Sequence, residues 1–272
     1  MEQGKREQEI TNQSNVRAVE RAFRVLQIVN TRDGVSPSEI AQATEIPRPT
    51  VYRLLETMEQ LRFVVRDQLT NKWRVALHAK SLSSGFRDAD WVCQVAIPEM
   101  VSFGKRILWP VDLMVFQNDH MEIRESTYYL SPYSLDRGMV GTQLPLQDTA
   151  SGRAYLLFSP DKQRDDVLER LKARSGSNAP LMTPDGSLDQ VLDQCRELGV
   201  GFRKRGFRVN TMSIAAPIMT GENVLACITI IWLRSALDFD EAIKLYRDPL
   251  LRLAERISES ISDQGDESLQ TT

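Results

Sequence analysis

Apolar residues recur at helical spacing three times in the first sixty positions, and then the pattern turns extended. Val19, Phe23, Leu26 and Val29 fall three and four residues apart, with Glu20, Arg21, Arg24 and Gln27 on the other face. That spacing predicts an amphipathic helix from Val16 to the glycine stop at Gly34. Ile40, Ala43 and Ile46, then Val51, Leu54, Leu55, Met58 and Leu61, predict two further helices that cross and pack. Ser36 ahead of Pro37 suits a helix start, since a hydroxyl can accept an orphan backbone N–H and proline loses no bond there. Pro47 and Pro49 disfavour helix in the residues before them, so one helix ends and the next begins at that point. After Arg62 the residues 63–66 and 72–75 read as strands around the turn-rich 67–71, a basic hairpin.

Downstream the pattern predicts a connecting helix with a break near Gly85, a longer helix over residues 91–108, and its closure at Trp109-Pro110. Residues 111–117 and 121–129 read as a hairpin about Asn118-Asp119, and residues 131–146 as irregular. Helices follow over 149–158, capped by Asp148 or Thr149, over 160–174 and, after a loop at 175–184, over 188–198 with Gly199 as its stop. Three strands over 200–209, 212–219 and 224–233 come next, the last two joined tightly by Gly221-Glu222. A last helix spans 239–261. The expected organisation is a disordered tail at 1–13, a winged helix-turn-helix at 14–76, a linker helix at 77–89, a sensor-like domain at 90–262 and a second tail at 263–272. The fold class is α+β, with the strands of the second domain gathered antiparallel and helices to one side and at both ends.

The length of 272 residues accommodates two domains, each with its own core. The net charge is −3, but residues 1–88 carry 14 Lys and Arg against 11 Asp and Glu, and the remainder 20 against 26. Bulk charge is therefore too small to hold nucleic acid, and DNA affinity must come from local placement and dimerisation. Cys93, Cys195 and Cys227 lie far apart without a CxxC pair and read as small core residues. With only His78 and His120 beside them, they argue against a zinc or redox site, and no cofactor or metal is expected. No apolar run reaches bilayer length and the N-terminus is polar, so a cytoplasmic protein with no membrane contact is expected.

The order helix, proline-bounded turn, helix and basic ribbon matches the winged helix-turn-helix, in which the second helix enters the major groove. Its exposed positions are Arg48, Pro49, Thr50, Tyr52 and Arg53, with Glu56 and Thr57 a turn later. Arginine reads guanine edges, and Thr or Tyr touches phosphate or a thymine methyl. Ser36 and Ser38 at the preceding helix start, and Arg66, Lys72 and Arg74 on the ribbon, complete the candidate contacts to double-stranded operator DNA. The plainer alternative is a solvated surface hairpin on another small helical domain.

The stretches VRAVERAFRVLQIV, SEIAQATEIPRPTVYRLLETMEQLRFV, GTQLPLQDTASGRAYLLF and SIAAPIM resemble, in order and spacing, the IclR family of bacterial transcriptional regulators. SSGFRDADWV, KRILWPVDL and DRGMVGTQLPLQDTASG are similar to the branch that regulates aromatic acid breakdown, especially its hydroxyphenylpropionate-type activators. The resemblance implies a GAF-like α/β effector domain with a largely antiparallel sheet, dimers or dimers of dimers, and RNA polymerase as a further partner. It also implies an effector pocket between the sheet and the loop entering the TASG helix. On that basis Leu144, Ala150 and Ser151 fall at the loop and helix start, and Arg203, Ser213 and Thr229 on the late strands. The family's glyoxylate-type regulator has a carboxylate and a thiol where this chain has Arg203 and Ser213, which points away from small keto-acid ligands. Beside the resemblance, a helix start at 149–152 is a seat for a carboxylate, an arginine adds a bidentate fork, and Ser213 or Thr229 suits a phenol. The plainer alternatives are a simple helix cap at 149–152, a solvated edge charge at Arg203, and Trp109 and Met139 as core.

A catalytic second domain finds no support: the sequence has no G-x-S-x-G elbow, no metal-spaced His or carboxylate cluster and no phosphate loop. An architectural DNA binder without an effector leaves a large sensor-like domain unexplained. The expected function is a ligand-responsive regulator of a catabolic operon, an activator responding to an aromatic carboxylic acid. A repressor responding to a different small molecule is the alternative.

Overall fold

The computed structural model describes residues 16–86, 89–134, 137–175, 181–206 and 208–270. The expected tail at 1–13 and residues 271–272 of the expected C-terminal tail lie outside that set. Two compact units emerge, one formed by residues 16–86 with 137–138 and the other by the remaining described residues.

In the first unit, α1 (Arg17–Thr31), α2 (Pro37–Thr44) and α3 (Arg48–Gln60) precede the antiparallel ribbon of β1 (Val64–Arg66) and β2 (Trp73–Val75). Val25, Val29, Val35, Ile40, Ile46, Val51, Leu55, Met58, Val64 and Trp73 form its core. Helix α1 turns Val25 and Val29 inward rather than Val19 and Phe23, which are exposed with Val16 as an apolar stripe on the outer side. Ala43 and Leu61 are also exposed; Leu61 is the cap after α3, where the helical phase has ended. The expected linker helix is not α-helical where it is described: Leu77–Ser83 is a 3-10 segment. The hydroxyls of Ser81, Ser83 and Ser84 each donate to the carbonyl three residues back. Such bonds compete with α-helical pairing and favour the tighter turn.

The second unit is built on a six-stranded antiparallel sheet in the order β5-β4-β3-β10-β9-β8. Its strands are β3 (Val111–Gln117), β4 (His120–Ser126), β5 (Gln143–Pro145), β8 (Gly201–Arg203), β9 (Thr211–Thr220) and β10 (Asn223–Leu233), and a separate two-stranded ribbon pairs β6 (Met182–Thr183) with β7 (Gly186–Ser187). Asn118 and Asp119 both have positive φ, the requirement of the tight β3–β4 turn, and Asp119 is buried against Arg170 and Arg174 at 2.8 and 3.0 Å. Helices cover both faces, not one. Helix α4 (Ile97–Ile107) and the long α8 (Phe239–Gln270) pack with Leu113, Ile214, Ile228 and Trp232. On the opposite face lies α5 (Ala150–Phe158), backed by α6 (Asp161–Ser175), against Met114, Ile123, Ala215 and Cys227. Helix α7 (Leu188–Leu198) closes one edge of the core.

Several expected boundaries shift. A third strand, β5, forms inside the stretch expected to be irregular, β4 stops at Ser126, and β8 is only three residues long. Helix α8 runs through residues 263–270, where a tail was expected. Ahead of α4, Val92–Ala96 is a π-helical turn. Val92 and Val95 point inward and Cys93 outward, the i, i+3 spacing of one helical face. Cys93 is thus exposed, against the expectation of a core residue, whereas Cys195 and Cys227 are buried. Burial pushes the Cys195 thiol up to about 11 and the Cys227 thiol higher still, which leaves both protonated and unreactive.

Candidate functional site

The reading helix of the first unit is positioned by its own caps. The Ser36 hydroxyl accepts from the Glu39 amide at 3.3 Å while the Glu39 carboxylate accepts from the Ser36 amide at 2.8 Å and from its hydroxyl at 2.7 Å, a reciprocal capping box. These bonds from Ser36, side chain first, hold the Glu39 carboxyl below its ordinary range. Ser36 is therefore occupied in building α2, while Ser38 is exposed. Glu45 takes the left-handed conformation between α2 and α3, and Thr44 ties the turn through Ile40 O at 2.7 Å. With Val51, Leu55 and Met58 buried, α3 presents Arg48, Pro49 and Arg53 to solvent, with Thr50 and Tyr52 half-buried at the border. Arg48 donates to the Tyr52 hydroxyl at 3.3 Å and lies over its ring, so these two form one stripe and Pro49 and Arg53 the next.

The ribbon divides its basic residues between two faces. Arg66 pairs with Trp73 in register and donates to Asn71 at 3.0 Å, whereas Lys72 and Arg74 alternate with the buried Trp73 and point the other way. Arg74 also meets Asp33 at 3.5 Å. The Asp67 carboxylate accepts from the amides of Leu69 and Thr70, which stiffens the ribbon tip and lowers that carboxyl's pKa, Thr70 acting most. This clamp was not anticipated, although an Asp opening a five-residue turn is a legible signal.

In the second unit the start of α5 is the centre. Thr149 caps it by accepting from the Gly152 amide at 3.0 Å, so the expected capping by Asp148 or Thr149 resolves to Thr149. Ala150 and Ser151 are buried at its first turn. A Cβ on Gly152 would lie 1.9 Å from Leu146 O, and one on Gly201 2.1 Å from Ala150 O. The helix start is thus pressed between its own entry loop and strand β8. Gly201 pairs with Ala215, Ala215 with Thr229, Thr229 with Asp112 and Asp112 with Ser126. Side chains paired this way share a face, so this row lies on the α5 side, and Arg203-Ser213 form part of the next row.

The structure gathers Ala150, Ser151, Ser213 and Thr229 around this floor, with Arg203 at its margin, and Leu144 packs against the same apolar cluster from the opposite edge of the sheet. Leu144 is on the edge strand β5 opposite Met121, and Arg203 is on the other edge strand. Five strand spacings of about 4.8 Å separate them, too far for one small ring to touch both. Arg203 is only 3% exposed and is turned to the backbone, donating to Arg208 O at 3.1 Å, Thr211 O at 2.9 Å and the Thr211 hydroxyl at 2.8 Å. It anchors the β8–β9 connection and is not a solvated edge charge. Arg203→Ala is accordingly expected to lower the melting temperature by several degrees in circular dichroism, because three buried acceptors lose a charged donor at roughly 2–4 kcal/mol together. Trp109 and Met139 pack against the two core clusters, as expected.

A second buried network had no sequence signal. Arg153, fully buried, donates to Gln147 O, the Asp185 carboxylate and Phe202 O at 2.9, 2.7 and 2.6 Å, tying α5 to β8 and to the β6–β7 ribbon. Beside it, burial raises the Asp148 carboxyl pKa even though Arg153 pulls it down, and one Asp148 oxygen has no protein partner. A carboxyl raised on folding binds its proton more tightly folded than unfolded, so stability falls as pH climbs from the unfolded pKa through the raised one. Asp148→Asn is expected to raise the melting temperature at pH 7 and to make no difference at pH 3, which a pair of thermal melts checks.

No helix among the described residues is long and apolar enough to cross a membrane. Residues 18–68 match the IclR helix-turn-helix domain, and residues 111–259 match the bacterial transcriptional regulator IclR C-terminal domain. The probable transcriptional regulator SauR of Cupriavidus necator is 26% identical over 222 residues, spanning 81% of this chain and 86% of its own. The transcriptional repressor IclR of Escherichia coli is 25% identical over 205 residues, 75% of this chain and 74% of its own. The crystal structure of Thermotoga maritima IclR shares the fold with a TM-score of 0.58 at 21% identity, over 90% of this chain and 99% of that one. An IclR homolog from Microbacterium hydrocarbonoxydans, complexed with 4-hydroxybenzoate, gives 0.54 at 20% identity over 90% and 99%. A winged reading helix followed by an antiparallel α/β domain defines a DNA-binding transcriptional regulator, not an enzyme. The chain belongs to the IclR family.

Proposed function

We propose that this regulator senses an aromatic carboxylic acid, such as a hydroxyphenylpropionate or hydroxybenzoate, and thereby controls a catabolic operon. The observation that carries this reading is the polar floor beside the start of α5, where the Thr229 hydroxyl is buried without a protein partner. A helix start favours a carboxylate, and the apolar neighbours Met114 and Ala215 favour a ring. The 4-hydroxybenzoate complex of the Microbacterium homolog supports the same ligand class. Arg48, Thr50, Tyr52 and Arg53 read the operator, with Arg66, Lys72 and Arg74 on phosphates. The exposed stripe of Val16, Val19 and Phe23, together with Leu77, Leu82 and Phe86, packs against a second copy, so that two reading helices meet two half-sites. The ligand acts by binding one arrangement of the assembly better than another.

The test is a thermal-shift screen of aromatic and aliphatic acids, followed by operator binding with and without the acid that stabilises the protein. An aromatic acid that shifts melting while glyoxylate does not supports the reading; the reverse order removes it. The similarity to aromatic-acid activators favours activation, while the Escherichia coli relative is a repressor. In vitro transcription with the acid present decides the sign.

A further inference from the structure

We propose that the second unit carries a further binding site, between α6 and the ends of β3 and β10, that takes a free α-amino acid with an aromatic or branched apolar side chain. It lies apart from the floor beside the start of α5. Phe116, in its wall, is four residues along β3 from Asp112, about 13 Å at the rise of a strand.

The site is a cavity of about 360 Å³, within the range of small-molecule sites, roughly 300–1,000 Å³. Its floor is apolar. Val167 is buried there, and the half-buried Phe116 stacks on Tyr155 with ring centroids 4.2 Å apart while the rest of its ring lines the cavity. A second ring or a branched side chain laid on this floor removes apolar surface from water on both partners.

The rim is set by one face of α6, where Lys162, Asp166 and Arg170 recur at four-residue steps with Gln163 beside them. Most charges nearby are already matched. Arg164 takes Asp161 at 2.7 Å and Asp165 at 3.9 Å, and Arg170 and Arg174 both hold the buried Asp119. Lys162 and Asp166 are exposed and form no ion pair with a described residue, although the charge of Asp166 acts on Arg170. Their order along the helix, cation first, is the poorer one for pairing with each other. Side chains one turn apart have Cβ atoms about 5–6 Å from each other, so a carboxylate at Lys162 and an ammonium at Asp166 can belong to two substituents of a single carbon. That is the head of an α-amino acid. The amides have the same polarity: Gln163 gives its NH₂ to the Tyr155 hydroxyl at 2.6 Å, which leaves its carbonyl oxygen to accept from an ammonium, and Asn223 across the cavity has an NH₂ for a carboxylate. A plain acid leaves Asp166 unmatched and a plain amine leaves Lys162 unmatched, so neither completes the rim.

The experiment is titration calorimetry of the full chain with L-phenylalanine, L-leucine, L-alanine and L-phenylalaninamide. The two large amino acids are expected to bind about 10-fold more tightly than L-alanine, the effect of covering part of a large apolar side chain. L-phenylalaninamide keeps the ammonium without the carboxylate and is expected to bind about 5-fold more weakly than L-phenylalanine, the size of a solvent-exposed charge pair. Lys162→Gln and Asp166→Asn are each expected to weaken L-phenylalanine by about 5-fold. Both side chains are exposed on α6, so the melting temperature of the free variants should match that of the unmodified protein. L-phenylalanine binding that both variants retain in full lies elsewhere on the protein and overturns the site. A loss in Lys162→Gln alone means a plain carboxylic acid suffices and overturns the amino-acid class, as does an amide that binds as tightly as the acid. Absence of binding by either large amino acid overturns the proposal outright and leaves the aromatic-acid reading untouched.

Discussion

Gly152→Ala is expected to cost the effector unit most of its stability, on the order of 4 kcal/mol or more. The added methyl would lie 1.9 Å from Leu146 O, 2.6 Å from Leu146 C and 2.9 Å from its Cα, all backbone atoms. No rotamer relieves such a contact. The helix start or its entry loop must move, and neither is free: Thr149 caps the helix, Ala150 lies on Gly201, and Arg153 one residue on holds three acceptors. For a domain of this size the loss corresponds to a fall of about 8–16 °C in melting temperature, read by differential scanning calorimetry. Gly85→Ala, whose methyl would meet nothing within 4 Å, is the control and is expected to leave the melt unchanged. A Gly152→Ala protein that melts like the unmodified one would mean that α5 is not seated against its entry loop as described.

The second large effect lies in the other unit. Arg53→Ala is expected to weaken operator binding by about 1–3 kcal/mol per half-site and to relax preference at the base it reads. Arg53 is exposed on α3 and its side chain takes no part in packing, so the melting temperature and effector affinity should hold. Fluorescence anisotropy with operator and scrambled duplexes separates the outcomes. Loss on both duplexes alike would reassign Arg53 to phosphate. Lys72→Ala offers the contrast, a uniform loss with a smaller salt slope.

The DNA-reading half was largely legible because its signals are local. Ser36-Pro37, the Pro47 and Pro49 pair and the apolar spacing of Val51, Leu55 and Met58 each act within a turn or two, and the helices begin and end where these residues say. Helix α1 is the instructive exception. Its apolar residues outnumber what one small core can cover, so spacing alone does not say that Val25 and Val29 are inside and Val19 and Phe23 outside. The effector half was legible as elements but not as a site. Asp112 and Thr229 are 117 positions apart and become neighbours only through the register of β3 against β10. Likewise Arg203 looks like any charge on a short strand until its three acceptors, supplied by Arg208 and Thr211, are seen to surround it. Cys93 lies off the inward stripe of Val92, Val95 and Ala96, so residue type alone points it to the core while helical phase points it to solvent.

The main sheet ends on two strands of three residues each, β5 and β8, and β5 closes with Pro145, which has no amide hydrogen to offer. Sheets with long bare edges invite other chains to extend them, and that route to aggregation is nearly shut here. Short edge strands of this kind favour association of copies through side chains on the helical surfaces over pairing of sheet edges.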